Sequence, residues 1–220
     1  MESFKRRHME QAVWRHFDRI GNGGNKSPAR FLTRIKRLLE VDRDLGCSAG
    51  IPGVPDGFAF FNEGGRGRGA DIAFSAFNVF CIAVAVDLLD AGLKQLEVVK
   101  LIRHMRRDLE SHYGMILKSP PGPSFVLIDD EPGLPSFEQN NLRFADPRVF
   151  VVMERAVIRE ARVADTGTEA MLFTPKFVRG IEALRKVLHK MDIEYRTALV
   201  IELAHTADAI TNYLKAPAQR

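Results

Sequence analysis

Three arginines near the start of the chain have types and a spacing suited to binding chemistry. Arg30, Arg34 and Arg37 lie four and three residues apart, which predicts that they share one side of a helix. A guanidinium is a planar set of N–H donors that pairs with phosphate oxygens and, in bidentate form, with the major-groove edge of guanine. Lys26 and Lys36 add positive charge to the same segment. The segment therefore carries side chains that a nucleic-acid backbone would attract.

A second arginine-bearing segment is rich in glycine. Arg66 and Arg68 lie within residues 62–69, and two short apolar runs, residues 58–61 and 70–74, flank this stretch. This pattern predicts a β-hairpin with a mobile tip. Glycine allows the backbone to come close and arginine supplies charge, so the tip could follow phosphates or enter a narrow minor groove. The alternative is a surface loop whose arginines only aid solubility.

The basic residues are concentrated at one end of the sequence. Residues 1–37 contain ten Lys or Arg against three acids, a formal charge of +7, whereas the whole chain sums to +4. A basic end on a nearly neutral remainder is typical of proteins that bind a phosphate backbone. Solvated helix surfaces that bind no nucleic acid show the same pattern, because Lys and Arg favour helices.

The other motifs do not predict catalysis or metal binding. Asn25 stands directly before Lys26 and Ser27, where a phosphate-binding loop requires glycine, and the preceding segment has a helical pattern. The six histidines are scattered, and the acidic run at residues 129–131 has no second group of ligands beside it. The two cysteines have no metal-binding spacing. We therefore expect neither an enzyme nor a metal or other cofactor.

The composition predicts a globular protein without a membrane segment. Hydrophobic residues make up 45% and charged residues 27% of the chain, which excludes wholesale disorder. The N-terminus lacks the apolar region of a signal peptide, and Asn78 and Asp87 interrupt the longest apolar stretch, residues 76–89. The two cysteines, Cys47 and Cys81, predict no disulfide, so we expect a reduced, cytoplasmic setting.

Apolar periodicity predicts four helices in the first half of the chain. They cover residues 4–20, 27–45, 76–89 and 94–117, with Ser27 and Ser75 as the N-caps of the second and third. On the second helix, four residues share the apolar side: Phe31, Ile35, Leu38 and Asp42. On the fourth helix, three arginines are expected outside the apolar side: Arg103, Arg106 and Arg107.

The second half of the chain has a different pattern. Residues 120–123, Pro-Pro-Gly-Pro, are the best candidate domain boundary. Beyond them we predict short strands at residues 125–128, 149–153 and 171–173. Two helices are predicted over residues 175–191 and 196–214.

Two stretches link the first half to a known family. Residues 66–69, RGRG, lie in the predicted hairpin, and residues 88–98, LLDAGLKQLEV, begin a helix after a glycine-containing turn. Together they resemble the MerR-type winged-helix DNA-binding domain over residues 27–117. In that family a recognition helix precedes a β-hairpin wing, an apolar helix follows, and a short glycine-containing turn begins the next helix.

The resemblance implies a mainly helical α+β protein with an N-terminal winged helix-turn-helix. Its parts would be a basic helix over residues 1–26, the winged-helix domain over 27–118 and a small α+β domain over 119–220 for dimerisation or effector binding. It implies a bacterial transcriptional regulator that contacts double-stranded DNA, with no effector identified. The expected DNA-binding residues are Lys26, Arg30, Arg34, Lys36, Arg37, Arg66 and Arg68.

The last predicted helix bears a narrow apolar stripe that suits a homodimer. The stripe consists of Leu199, Leu203, Ala207, Ile210 and Leu214. Regulators that bind paired half-sites need two copies at a fixed spacing. The alternative for the stripe is packing within its own domain. For the whole chain, the alternatives are a protein-interaction or assembly module that uses its C-terminal helices, and a largely non-specific chromosome-organising DNA binder.

Overall fold

The computed structural model of the protein describes seven ranges of the chain. They are residues 3–18, 27–47, 56–61, 73–118, 146–154, 175–190 and 198–216. Six α-helices and three β-strands lie in these ranges. The protein is thus α+β and mainly helical, as the sequence predicts.

The helices and strands alternate only in the second half of the chain. The helices are α1 (Arg6–Phe17), α2 (Ala29–Asp44), α3 (Ala76–Asp90), α4 (Gln95–Lys118), α5 (Ile181–His189) and α6 (Ala204–Lys215). The strands are β1 (Val149–Glu154), β2 (Lys176–Arg179) and β3 (Ala198–Glu202). The predicted strands at 125–128 and 171–173 lie outside the described residues.

Helix α3 forms the centre of the helical part. Nearly all its side chains are apolar and buried, which is the pattern of a helix surrounded by protein. The Oγ of Ser75 accepts a hydrogen bond from the backbone N–H of Asn78 at 3.1 Å, so the predicted N-cap is confirmed. The predicted cap of α2 is wrong, because its N-cap is Pro28 and Ser27 makes no cap bond.

Helix α6 packs against α1, α3 and α4, far from it in sequence. The predicted helix 196–214 is wrong over its first part, because residues 198–202 form β3 and Leu199 lies half-buried on that strand. The other four stripe residues are at most 3% exposed: Leu203, Ala207, Ile210 and Leu214. They belong to the core of their own chain, so the stripe is not an exposed face for a second copy.

The three strands form an antiparallel sheet in the order β2-β1-β3. Alternate residues of β1 point to opposite faces. Val149, Val151 and Met153 join the helical core, whereas Phe150 and Val152 form a second cluster with Leu184 of α5. One face of the sheet therefore packs on the main hydrophobic core, and the other face packs on α5.

Helix α5 is shorter than predicted. Residues 176–179 are strand β2, and the helix begins only after Gly180, whose φ of +81° favours glycine. A Cβ at Gly180 would also lie 3.3 Å from the Cβ of Asp146. The carboxylate of Asp146 accepts the backbone N–H of Ile181 at 2.8 Å, which satisfies one free N–H at the helix start.

The predicted hairpin is not formed by the flanks that the structure describes. Residues 58–61 form bends rather than a strand, and Phe74 pairs with Phe4 in an isolated antiparallel bridge. The two backbone hydrogen bonds of this bridge measure 2.8 and 2.9 Å. The start of α3 is therefore tied to the segment before α1. Residues 62–72, with the predicted tip, lie outside the described residues.

One hydrophobic cluster contains side chains from both predicted domains. It includes Val13 of α1, Val84 of α3 and Ile210 of α6. The predicted boundary at 120–123 itself lies outside the described residues. Within the residues that the structure describes, no helix combines the length and the apolar character needed to cross a bilayer.

Candidate nucleic-acid interface

Helix α2 positions the predicted arginine side. Each residue advances about 100° around an α-helix, so Arg30, Arg34 and Arg37 fall within roughly 60° of one another. The apolar side of α2, with Ile35 and Leu38, lies about 100° around the helix from the arginines and is fully buried. Its first turn also packs on α1, where the ring of Trp14 meets the ring of Phe31 edge-on at 5.1 Å. The helix is held on its inner side and presents the arginines along one flank.

The three arginines differ in their surroundings. Arg30 and Arg37 are exposed, and neither has an ion pair with any residue in the described ranges. Arg34, between them, donates from Nη2 to the Oδ1 of Asp90 at 2.6 Å. The arginine side therefore consists of two open guanidinium groups around one that is paired. We name Arg30, Arg34 and Arg37 the arginine side of α2.

Lys36 does not join this group. It lies about 120° around the helix from Arg30. Its Nζ is 3.6 Å from the Oε1 of Glu40, in an exposed pair one turn apart. Of the predicted DNA-binding residues, the structure thus brings three together and places Lys36 on another side. Lys26, Arg66 and Arg68 lie outside the described residues.

The outer surface of α2 is more basic than its sequence suggests. The helix contains five basic and three acidic residues, but one of the acids, Asp42, is completely buried. Asp42 pairs with Arg103 of α4, whose Nη2 lies 2.7 Å from its Oδ1. Only Glu40 and Asp44 remain as exposed acids of this helix. Burial of one carboxylate therefore leaves a larger positive excess at the surface of α2.

Arg103 corrects a prediction, because it was expected outside the apolar side of α4. It is only 2% exposed, and its Nε also donates to Asp42 at 2.9 Å. The backbone carbonyl of Asp42 accepts a further bond from Nη2 at 2.7 Å. Two arginine donors on one carboxylate compensate in part for the water that burial removes from the two charges, and the buried Nη1 of Arg103 has no hydrogen-bond partner among the described residues.

The same buried group anchors the segment before the glycine-rich stretch. The carboxylate of Asp42 accepts the backbone N–H groups of Ala59 and Phe60 at 2.9 and 3.0 Å. Arg106 donates to the carbonyl of Ala59 and, at 2.9 Å, to the Oδ1 of Asn78. The chain that enters residues 62–72 is therefore fixed to α2 and α4.

The glycine-turn motif has a structural role. The side chain of Glu97 accepts the backbone N–H of Lys94 at 2.8 Å, and the N–H of Leu93 bonds to the carbonyl of Leu88 at 3.2 Å. Gly92 has a φ of +91°, which the turn requires. The bond of Leu93 closes the end of α3, and the bond to Glu97 is one half of a capping box at the start of α4. The motif contributes to the site by placing Asp90 next to α2.

Sequence analysis missed Asp90 as a member of the site. The sequence indicates only that this residue lies next to the glycine-containing turn between two predicted helices. Its partner is 56 residues away, and an ion pair over that distance leaves no periodic pattern in the sequence. The one available signal is an acid placed two residues before the glycine of an exposed turn.

The described residues offer little for other chemistry. They contain no group of three or more His, Cys, Asp or Glu side chains that could hold a metal. Burial raises the pKa of Cys81 to about 12, so this thiol stays protonated and behaves as a small apolar side chain.

Comparisons with known proteins gave no relative. No family model matches the chain, and no curated protein and no solved structure matches it either. A function is therefore inferred from the residues of this chain alone.

Proposed function

We propose that the protein binds duplex DNA through the arginine side of α2 and acts as a transcriptional regulator. The observation that carries this proposal is the pair of exposed guanidinium groups, Arg30 and Arg37, with no carboxylate partner among the described residues. An exposed pair between an arginine and an acid contributes little, typically about 0–1 kcal/mol. Two open arginines on one rigid flank favour an anionic partner instead.

The dimensions and charge of α2 suit the groove of DNA. Arg30 and Arg37 are about 10 Å apart along the helix axis, at about 1.5 Å per residue. The major groove of B-DNA is about 12 Å wide and admits an α-helix. Because Asp42 is buried with Arg103, it adds no repulsion at the surface that faces phosphates.

A MerR-type winged helix is part of the proposal. Helix α2 would be the recognition helix, residues 62–72 the wing, and α3 and α4 the supporting helices. The order of these elements and the glycine turn at Gly92 support it. Arg66 and Arg68 would add phosphate or minor-groove contacts from a base that Asp42 holds in place.

Under this proposal, the protein is cytoplasmic and forms a homodimer. Paired half-sites require two copies, but the core position of the α6 stripe means that another surface must join them. The alternative function, an assembly module built on the C-terminal helices, is less well supported. It rests on the C-terminal helices, but the apolar face of α6 is buried against α1, α3 and α4, and on α5 the exposed large apolar side chains among the described residues are Ile181 and Leu188.

The proposal is tested by removing the two open arginines together. The double variant R30A/R37A should bind labelled duplex DNA more weakly, and its binding should depend less on salt. Each lost phosphate contact removes roughly 0.9 from the slope of log affinity against log salt. Fluorescence anisotropy over a series of salt concentrations measures both quantities.

The matched control removes two exposed lysines from the other side of the sheet, in the variant K186A/K190A. It changes the net charge equally, so a specific interface predicts a much smaller effect. Equal losses in both variants, or no loss in R30A/R37A with the fold intact by circular dichroism, would contradict α2 as the binding surface.

A further inference from the structure

Arg34 is the middle residue of the arginine side of α2, and it is the one of the three that forms an ion pair with an acid. The Nη2 of Arg34 lies 2.6 Å from the Oδ1 of Asp90, the last residue of α3. Both side chains reach solvent, with 31% of Arg34 and 54% of Asp90 exposed. The pair therefore lies on the same surface that we propose for DNA, and Asp90 would face the bound nucleic acid.

We propose that Asp90 is a selectivity residue that makes Arg34 favour a base edge over a phosphate. This inference rests on the proposed function and specifies what one residue of that site contacts. It gives the three arginines separate tasks. Arg30 and Arg37 would hold the backbone, and Arg34 would contact bases.

The donor geometry of arginine permits this division. A guanidinium has five N–H donors, and the contact with Asp90 uses the Nη2 group. The other donors stay available for a bidentate contact to O6 and N7 of guanine. Asp90 thus holds the plane of Arg34 without occupying all of its donors.

Electrostatics separates the two kinds of acceptor. A phosphate carries a full negative charge, and at Arg34 it would come close to the carboxylate of Asp90, so the two anions repel each other. The O6 and N7 atoms of guanine carry no formal charge, so the same carboxylate opposes them far less. Since phosphate contacts are independent of sequence and base contacts are not, Asp90 would raise the share of specific binding.

A purely structural role for Asp90 predicts something else. The ion pair also ties α2 to the turn between α3 and α4. If this tie were its only task, loss of the charge would lower the affinity for all anionic ligands to the same degree. The ratio between a ligand with bases and one without them distinguishes the two roles.

The experiment compares the full-length protein with D90N on two probes. One probe is a mixed-sequence DNA duplex that contains guanine, and the other is inorganic polyphosphate, which has phosphate charge but no bases. We expect D90N to bind polyphosphate roughly two- to fivefold more tightly, the range of one exposed ion pair. The affinity for the duplex should rise less, so the preference for duplex over polyphosphate falls.

Two further variants control this result. E182Q removes an exposed acid that also pairs with an arginine, Arg185, but on α5. It should leave the ratio between the probes unchanged. In R34A the substitution D90N should change the ratio less, because the guanidinium that brings a phosphate next to Asp90 is missing.

Each other outcome overturns a defined statement. An equal change on both probes, or the same change in E182Q, overturns the selectivity role of Asp90 while DNA binding through α2 stands. If the unaltered protein binds polyphosphate and duplex equally and R30A/R37A changes neither, the proposed function is overturned and this inference with it.

Discussion

Two arginine–aspartate pairs involve helix α2, through Asp42 and Arg34, which lie about 80° apart around its axis, and the shortest distances in the two pairs are nearly equal. Arg103 and Asp42 approach to 2.7 Å on the inner side, and Arg34 and Asp90 approach to 2.6 Å on the outer side. Their surroundings differ completely. The inner side chains are 1% and 0% exposed, whereas the outer ones are 31% and 54% exposed.

The difference shows that burial, rather than distance, decides what an ion pair does. In the core neither Asp42 nor Arg103 can turn to water, so each depends on the other and on the backbone groups around them. At the surface, water and salt ions replace either partner at little cost. The inner pair fixes the position of α2 against α4, and the outer pair leaves Arg34 free to exchange partners.

A third pair lies between these extremes. Asp146 and Arg148 are 22% or less exposed, and the carboxylate accepts three hydrogen bonds from the guanidinium as well as the N–H of Ile181. The three pairs have the same chemistry but increasing exposure. We therefore expect loss of the aspartate charge to reduce stability most in the buried pair and least in the exposed pair. Substitution of each aspartate by asparagine tests this order.

The largest effect is expected for D42N. It leaves the charge of Arg103 buried without a partner, which should lower the free energy of unfolding by about 3–5 kcal/mol. Urea denaturation followed by circular dichroism measures the change. E40Q, which removes an exposed acid from the same helix, is the control and should lie within about 0.5 kcal/mol of the unaltered protein.

If D42N does not fold, the double variant D42N/R103M decides the point. Removal of the unpaired charge should restore part of the lost stability, since a buried pair can often be replaced by apolar residues. A small loss in D42N, or no recovery in the double variant, would show that the inner pair does not hold α2 in place.

An intermediate effect is expected for D146N. Burial raises the pKa of Asp146, but hydrogen bonds from Arg148 and from the backbone N–H of Ile181 outweigh it, so the pKa lies below its ordinary value of 3.8. The carboxylate thus adds stability above pH 3.8 that disappears as the pH falls through the lowered pKa. At neutral pH, D146N should lose about 1 kcal/mol, the scale of a helix cap.

The pH dependence gives D146N its own check. Thermal unfolding of D146N and the unaltered protein should differ at pH 7 and converge in acid, because the protonated aspartic acid resembles asparagine in charge. A constant difference at all pH values would mean that the charge of Asp146 is not what stabilises the start of α5.

The smallest effect on stability is expected for D90N. An exposed pair contributes at most about 1 kcal/mol, and added salt reduces even that. Thermal unfolding at low and high salt measures both. If D90N lowered the free energy of unfolding as much as D42N, the outer pair would be as important for stability as the inner pair. The proposed difference between the two pairs would then be wrong.

The sequence predicted the helices better than the strands. The apolar spacing on α2 correctly grouped Asp42 with Phe31 and Ile35, because a helix face has a fixed period. The same spacing misled at residues 198–202, where Leu199 happens to be four residues before Leu203. The unbroken apolar run Ala-Leu-Val-Ile before Glu202 is the pattern that indicates a strand here.

The candidate site was predictable only in part. The spacing of Arg30, Arg34 and Arg37 was enough to predict their common side. It could not show that Arg103 lies inside the core or that Asp90 meets Arg34, because each depends on a partner 56 or more residues away. A charged residue is assigned to the surface until its partner is known, and such partners come from the tertiary fold.

The position of α6 has a consequence for how the chain acquires its structure. Its Thr206 meets His16 of α1 across 190 residues, at 3.4 Å. Contacts between residues so far apart in the sequence form slowly, because the entropy cost of closing the long loop comes before the contacts add any stability. During synthesis, the sides of α1 and α3 that α6 covers in the folded protein stay exposed until residues 204–215 leave the ribosome. A nascent chain that has not yet released residues 204–215 is therefore expected to expose apolar surface that chaperones can bind.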